Sequence, residues 1–339
     1  MKQRTHTWLA IRAVALLDDL DEADWVVKLL KPHVRSTAIG AWIPDLKDAK
    51  KGGSKVENHI LKMKPYTGSQ AERFTVDRQK ILKKLGTHRR IHAFLKKDRT
   101  LNPDWWATPY KAEPKPGQHL ADRSQALTIT IDDQLILGDP PLAAVVPGNV
   151  RFASNLHPNA RTRREETATY FFMLTHFIAD SCMPCHCDNR FLASYDNGLH
   201  KELEAHWNKV IGTYFEKGNI LSTNASSRTI LKEAKKIDKK FGVDFSTVQT
   251  IPKLMPKNDV WLEMLYVCRG SFAVSNILAH PNQYPFTSRK KAPYATLFAK
   301  DGPRPDLLQE LDEIVIHDSV LNIAIVWKHI WNTFKLPDA

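Results

Sequence analysis

Cysteine is scarce. The chain has four in 339 residues, with Cys182, Cys185 and Cys187 crowded together and Cys268 alone. That excludes a disulfide framework, and a chain of this length buries enough core to need none. Long apolar runs are missing too. No stretch of roughly 18 uncharged apolar residues occurs, so no transmembrane helix is expected. The best candidate, IVIHDSVLNIAIVW, is interrupted by His317 and Asp318. The opening MKQRTHTWLAIRAVALLDDLDEADW carries Arg12 inside its apolar part, acids straight after it and no small-residue cleavage site. It does not read as a secretory signal. A cytoplasmic protein is the expectation, with export by another route as the alternative. Internal repeats, low-complexity tails and blocks of one charge are absent as well.

What is present is ordinary in amount and informative in arrangement. Hydrophobic residues make up 42% and charged residues 25%, the balance of a globular protein. Lys and Arg number 49 against 37 Asp and Glu, a net charge of +12. That excess suits an anionic partner, nucleic acid or acidic phospholipid, or else is only a basic surface. Periodicity is mostly helical. Trp8, Ile11, Ala15 and Leu16 share one face of a first helix, and Ala23 to Leu30 opens a second that Pro32 stops. GAWIPDLKDAKKGGSK is expected to be a loop, and Val56 to Met63 a helix. Further helices are predicted over Glu165–Cys182, Gly198–Phe215, Trp261–Leu278 and Pro305–Phe334, with a solvated helix and loop over ILKEAKKIDKKFGVDF. Residues from about 85 to 165 break the pattern. DWWATPYKAEPKPG is irregular, and ALTITIDDQLIL alternates like a β-hairpin. The expected architecture is one mainly α domain over 1–339 with that irregular insertion.

The chemistry gathers in THFIADSCMPCHCDNRFLASYDNGLHKELEAHW. His176 and Asp180 stand four apart on an apolar helix, so both emerge on one face. His200 and Glu204 repeat that spacing on the next helix, and His186 lies between, after a Pro184 that ends or kinks the first. Imidazole nitrogen and carboxylate oxygen are the usual ligands of catalytic zinc. One histidine on a helix is commonly a core residue; two such pairs in succession with a third histidine between them point to metal. Asp45 and His59 flank the Gly-Lys loop, and His6 stands near the start. His88 and His92 share the spacing in a basic context that suits a solvated helix face. Asp104-Trp105-Trp106 offers a base-stacking platform or a loop anchor. Cys182-Met-Pro-Cys185-His186 also spells C-x-x-C-H, the haem attachment pattern. No haem is expected, because covalent attachment happens outside the cytoplasm and nothing here exports the chain. The cysteines read as small packing residues.

The run His176-x3-Asp180-x3-Pro184-x-His186, then His200-x3-Glu204, resembles the zinc-dependent phospholipase C / S1–P1 nuclease superfamily, and His6, Asp45 and His59 fall in the family order. The resemblance covers residues 1–63 and 170–215. It implies a helical fold of the phospholipase C/P1 nuclease type holding three zinc ions in a cleft and cleaving phosphate esters. By position, Asp45, His59, His176 and Asp180 would hold one zinc, and His186, His200 and Glu204 a second. Asp180 would reach a third, completed by His6 and by the amino and carbonyl groups of Met1. Family members usually begin with Trp after signal cleavage; here Met1 stands in that place, and the bulky Lys2 is expected to keep it from removal. Asp180 is then the bridge, and Asp45 both a ligand and the group that orients or deprotonates the nucleophile.

The favoured substrate is single-stranded nucleic acid or a nucleotide. Lys47, Lys50 and Lys51 beside Asp45 would steer a polyanion. Hydrolysis of phospholipid is the alternative, suggested by Glu204 and by the Asp45–His59 spacing. No aromatic cage for choline shows in Pro44-Asp45-Leu46 or Val56-Glu57-Asn58-His59. A non-catalytic zinc-containing binding protein is the third alternative.

Overall fold

A computed structural model describes residues 1–45, five positions between 121 and 128, 160–188, 190, 198–215, 224–254, 260–280, 282–284, 293–301 and 305–333. Among these, 75% are helical and none lies in a named strand. The helices are α1 (Gln3–Asp19), α2 (Asp24–Leu30), α3 (Val34–Thr37), α4 (Ala160–Ser181), α5 (Leu199–Phe215), α6 (Ser227–Lys235), α7 (Val260–Leu278), α8 (Tyr294–Leu297) and α9 (Leu307–Thr333). Short 3-10 turns cover Ala38–Asp45 and Pro184–His186.

The first helix departs from the expected single apolar face. Every residue from Thr5 to Leu17 is buried, so α1 is a central rod rather than a surface helix. It packs against α4, α5, α6, α9 and the Ala38–Asp45 turn. Burial on all sides requires its polar residues to find partners. Arg12 lies bidentate on Asp238, with Nε 2.9 Å from each carboxylate oxygen, and stacks over Phe245. The Trp8 indole donates to the Ala234 carbonyl at 3.0 Å. These contacts also correct the view of the lysine-rich segment as merely solvated. Ile230, Leu231, Ala234, Ile237 and Phe241 turn inward onto the core, while Arg228, Lys232, Lys236 and Lys239 face solvent.

Helix α9 contains the most apolar run of the sequence and is the second rod of the core, touching α1 and α4. Phe171 and Phe172 of α4 meet Trp327 of α9 edge-on, at 5.9 and 6.1 Å between centroids. Truncating such a fully buried aromatic side chain costs about 3–5 kcal/mol. Asp318 and Asn322 lie inside the bundle rather than outside it. No helix among the described residues is long and apolar enough to cross a membrane.

The predicted hairpin is corrected where it can be seen. Leu127 and Thr128 are helical, and the Thr128 hydroxyl donates to the Ser124 carbonyl four residues back. Ala121, Ser124 and Thr128 are buried at helical spacing, so the β-branched alternation yields to tertiary packing. Residues 129–137 lie outside the described set, as do the helix expected at 56–63 and the aromatic run at 104–106. Ala160–Arg164, assigned from sequence to the irregular insertion, already belong to α4.

Candidate metal centre

Five elements deliver the ligand-type side chains: α1, the Ala38–Asp45 turn, α4, the Pro184–His186 turn and α5. The Ala38–Asp45 turn lies directly on α4 because Gly40 has no side chain. A Cβ there would stand 3.2 Å from the Thr169 methyl and 3.3 Å from Phe172 Cβ and the Thr169 carbonyl. That approach lets the His176 Nδ1–H donate to the Ala41 carbonyl at 2.7 Å. Its Nε2 faces the carboxylates, 3.2 Å from Asp180 Oδ2 and 3.6 Å from Asp45 Oδ1. Holding one ring nitrogen so that the other points at a metal is the usual support of a ligating histidine.

Helix α5 carries a stripe at four-residue intervals, His200, Glu204, Asn208 and Gly212, all on one face. The first two are ligand-type residues, and the last two seat the start of α1. Asn208 Oδ1 accepts from the Arg4 backbone N–H at 3.2 Å, and Gly212 leaves room for the Arg4 side chain to cross. The amino group of Met1 is thereby placed 2.9 Å from both Asp180 Oδ1 and Glu204 Oε1.

Two groups of donors result, each with its donor atoms within 4.8 Å of one another: His6, Asp45 and His176, and His186, His200 and Glu204. In the first, the His6 and His176 rings are stacked at 3.8 Å. In the second, His186 Nε2 lies 3.0 Å from His200 Nε2 and 3.3 Å from Glu204 Oε1, with His200 Nε2 3.0 Å from that same oxygen. Asp180 joins them. Its Oδ1 is 3.5 Å from His6 Nε2 and 3.5 Å from His186 Nδ1, while Oδ2 faces His176. The resemblance allots His6 to the amino terminus and Asp180. The geometry keeps His6 Nε2 3.5 Å from Asp180 Oδ1 and also brings the residue's donor atom within 4.8 Å of those of His176 and Asp45. His59 lies outside the described residues.

The donor set fits a divalent metal on three counts. Tetrahedral ligands at about 2.0–2.1 Å from zinc stand roughly 3.3–3.4 Å apart, close to the 3.0–3.3 Å triangle of the second group. Both ring nitrogens of His6, and Nδ1 of His186, are buried without a hydrogen bond, an arrangement costly to leave unfilled. The protonation states are also those of ligands. Burial pushes His6 well below the ordinary imidazole range, reinforced by His176 and the amino terminus. Burial likewise takes His186 down to about 4, against the pull of Asp180. Burial opposes ionisation of Asp180 and Glu204, yet the amino terminus and the surrounding histidines outweigh it and hold both carboxyls well below their usual range. Burial opposes charge on the Met1 amine too; Asp180 and Glu204 overcome it and raise the group to about 11. The ammonium therefore balances two carboxylates, and becoming a ligand requires an incoming cation to displace that proton into solvent.

Several participants were not evident from sequence. Trp42, three residues before Asp45, has its ring centroid 6.2 Å from His6 and 6.4 Å from His176. A search for aromatics directly beside Asp45 and His59 passes over it. Phe177 meets His176 edge-on at 5.5 Å. His206 and Trp207 share Asp312 of α9, at 2.8 and 2.7 Å, and so anchor α5. All four cysteines are buried and outside disulfides, and none belongs to either donor group. No protein-family model, curated protein or solved structure matches this chain.

Proposed function

We propose that this protein is a zinc-dependent phosphodiester hydrolase of the phospholipase C/P1 nuclease type, acting on single-stranded nucleic acid or nucleotides. The observation that carries this reading is Asp180, one buried carboxylate whose Oδ1 lies 3.5 Å from a ring nitrogen of each donor group, His6 and His186, while its Oδ2 faces His176. A structural zinc site closes on four ligands and has no use for a second group across a shared carboxylate. Two adjacent groups are the arrangement that handles both the attacking and the leaving oxygen of a displacement at phosphorus.

His6, Asp45, His176 and Asp180 would hold metal on one side, His186, His200 and Glu204 on the other, with the Met1 amine between them. When bound, zinc supplies water activation near neutral pH and neutralises charge on phosphate oxygens. The side chains supply the rest. Asp45 is the most exposed carboxylate of its group, at 24%, and so the one placed to orient a water or take its proton. Asp180 keeps the two groups in register. His6, held below the ordinary imidazole range by burial, stacks on His176 at the edge of the site. Trp42 is half-buried beside these rings, an aromatic face suited to a nucleobase, and the +12 charge favours a phosphate backbone.

The test is metal content by mass spectrometry, with degradation of single-stranded DNA, RNA and phospholipid vesicles by the zinc-loaded protein, Asp180→Ala and a chelator serving as controls. Zinc-dependent cleavage of nucleic acid, absent from the variant, is expected. Cleavage of lipid alone would move the substrate to phospholipid. Tightly held zinc without hydrolysis of any phosphodiester would refute the enzyme and leave a zinc-containing binding protein.

A further inference from the structure

Beyond His186 the chain turns into the core, through Asp188 and Arg190, both buried and neither part of a donor group. The Arg190 guanidinium lies on the Asp188 carboxylate, with Nε 3.1 and 3.0 Å from its oxygens and Nη2 2.6 Å from Oδ2. Its other N–H groups donate to the carbonyls of Ser275, Ala279 and Tyr284 and to the Ser275 hydroxyl. The Ser275 hydroxyl in turn donates to Asp188. On the other flank of the same turn, the Ser271 hydroxyl donates to the Ser181 carbonyl. Ser271 and Ser275 are one helical turn apart on α7. The segment from Ser181 to Arg190 is therefore fastened at both ends to one face of one helix, with His186 in the middle.

A buried ion pair is a poor source of net stability, since apolar residues of equal volume often serve as well. What this one supplies is geometry: five fixed N–H directions from a planar fork. We propose that Arg190, through Asp188 and the α7 serines, is a positioning residue for His186, and that the metal affinity of the His186–His200–Glu204 group depends on it. The inference rests on the metal-site assignment above and extends it to residues that touch no ligand atom.

The experiment compares wild type, His186→Ala, Arg190→Lys and Ser275→Ala in the full chain. Zinc stoichiometry, competitive zinc titration and the visible spectrum of the cobalt-substituted protein are read alongside circular dichroism. His186→Ala marks the loss of one metal equivalent. Arg190→Lys keeps the charge and loses the fork. It should weaken only the metal that His186→Ala loses, by about 10–100-fold, the usual effect of disturbing a ligand's support. Ser275→Ala removes one hydroxyl from the clamp and should weaken that same metal by several-fold with the fold intact. If Arg190→Lys does not fold, Ser275→Ala decides. Wild-type zinc affinity and an unchanged cobalt spectrum in folded Ser275→Ala and Arg190→Lys would overturn the proposal. A wild-type chain that takes up neither zinc nor cobalt would overturn the metal assignment itself, and this inference with it.

Discussion

The two donor groups are alike in chemistry and opposite in construction. His186, His200 and Glu204 come from consecutive elements within nineteen residues of sequence, and His200 and Glu204 keep 23% and 16% of their side-chain surface exposed. His6, Asp45 and His176 come from the start of the chain, a 3-10 turn and a helix far along it, and both imidazoles are fully buried. The outer group is a local motif that needs one turn held in place. The inner group exists only because α1 runs through the middle of the bundle and Gly40 lets a turn lie on α4. The difference predicts that damage to packing will fall on the inner group, and damage to the Pro184–His186 turn on the outer.

The largest effect should come from the residue that erases the distinction. Asp180→Ala leaves the Met1 ammonium and three histidines without their shared carboxylate, and should empty both groups and abolish hydrolysis together. Full metal occupancy in either group of the folded variant, measured by mass spectrometry, would show that Asp180 does not couple them. Asp45→Asn should separate binding from chemistry within the inner group, with hydrolysis falling by about 10²–10⁴-fold and metal content by far less. Rates equal to wild type would remove Asp45 from any catalytic role.

A paired comparison comes next. His6→Ala should cost the inner group its metal and spare the outer, and His200→Ala should do the reverse. Zinc titrations of the two variants that cannot be told apart would mean the groups form one site. A subtler probe is Gly40→Ala, which forces the turn off α4 by a few tenths of an ångström. A cost of about 1–3 kcal/mol is expected from overpacking, with inner-group affinity lowered and outer-group affinity unchanged; denaturant unfolding and zinc titration read the two halves. The smallest effect belongs to Asn208→Ala, which removes one hydrogen bond from the first turn of α1. It should cost about 1 kcal/mol and loosen the amino terminus from Glu204, visible as faster amide exchange at Arg4.

The outer group was legible because helical spacing is a local property. Four residues make about one turn, so His200 and Glu204 must share a face wherever α5 sits, and the same holds for His176 and Asp180. The helices from α4 onward, the four-residue α8 excepted, were legible for the same reason, to within about five residues. Three things were not. Trp42 looked like any loop aromatic, because its neighbours His6 and His176 are distant in sequence. Leu127 and Thr128 carry β-branched alternation, yet burial of Ala121, Ser124 and Thr128 on one face makes them helical. Arg190 is one arginine among many until its guanidinium is seen against Asp188, Ser275 of α7 and the carbonyls of Ala279 and Tyr284 beyond that helix.

By itself, then, the amino-acid order determined a mainly helical chain, the identity of the metal-type side chains and their pairing within each helix, since periodicity and donor chemistry act over one or two turns. Only the tertiary structure decided that α1 is buried on every side, that Asp180 faces both groups and that the Met1 amine lies between two carboxylates. It also decided that an arginine–aspartate clamp holds His186. Those facts depend on which helices pack against which, and that is settled by burial summed over the whole core, a quantity no short stretch of sequence contains.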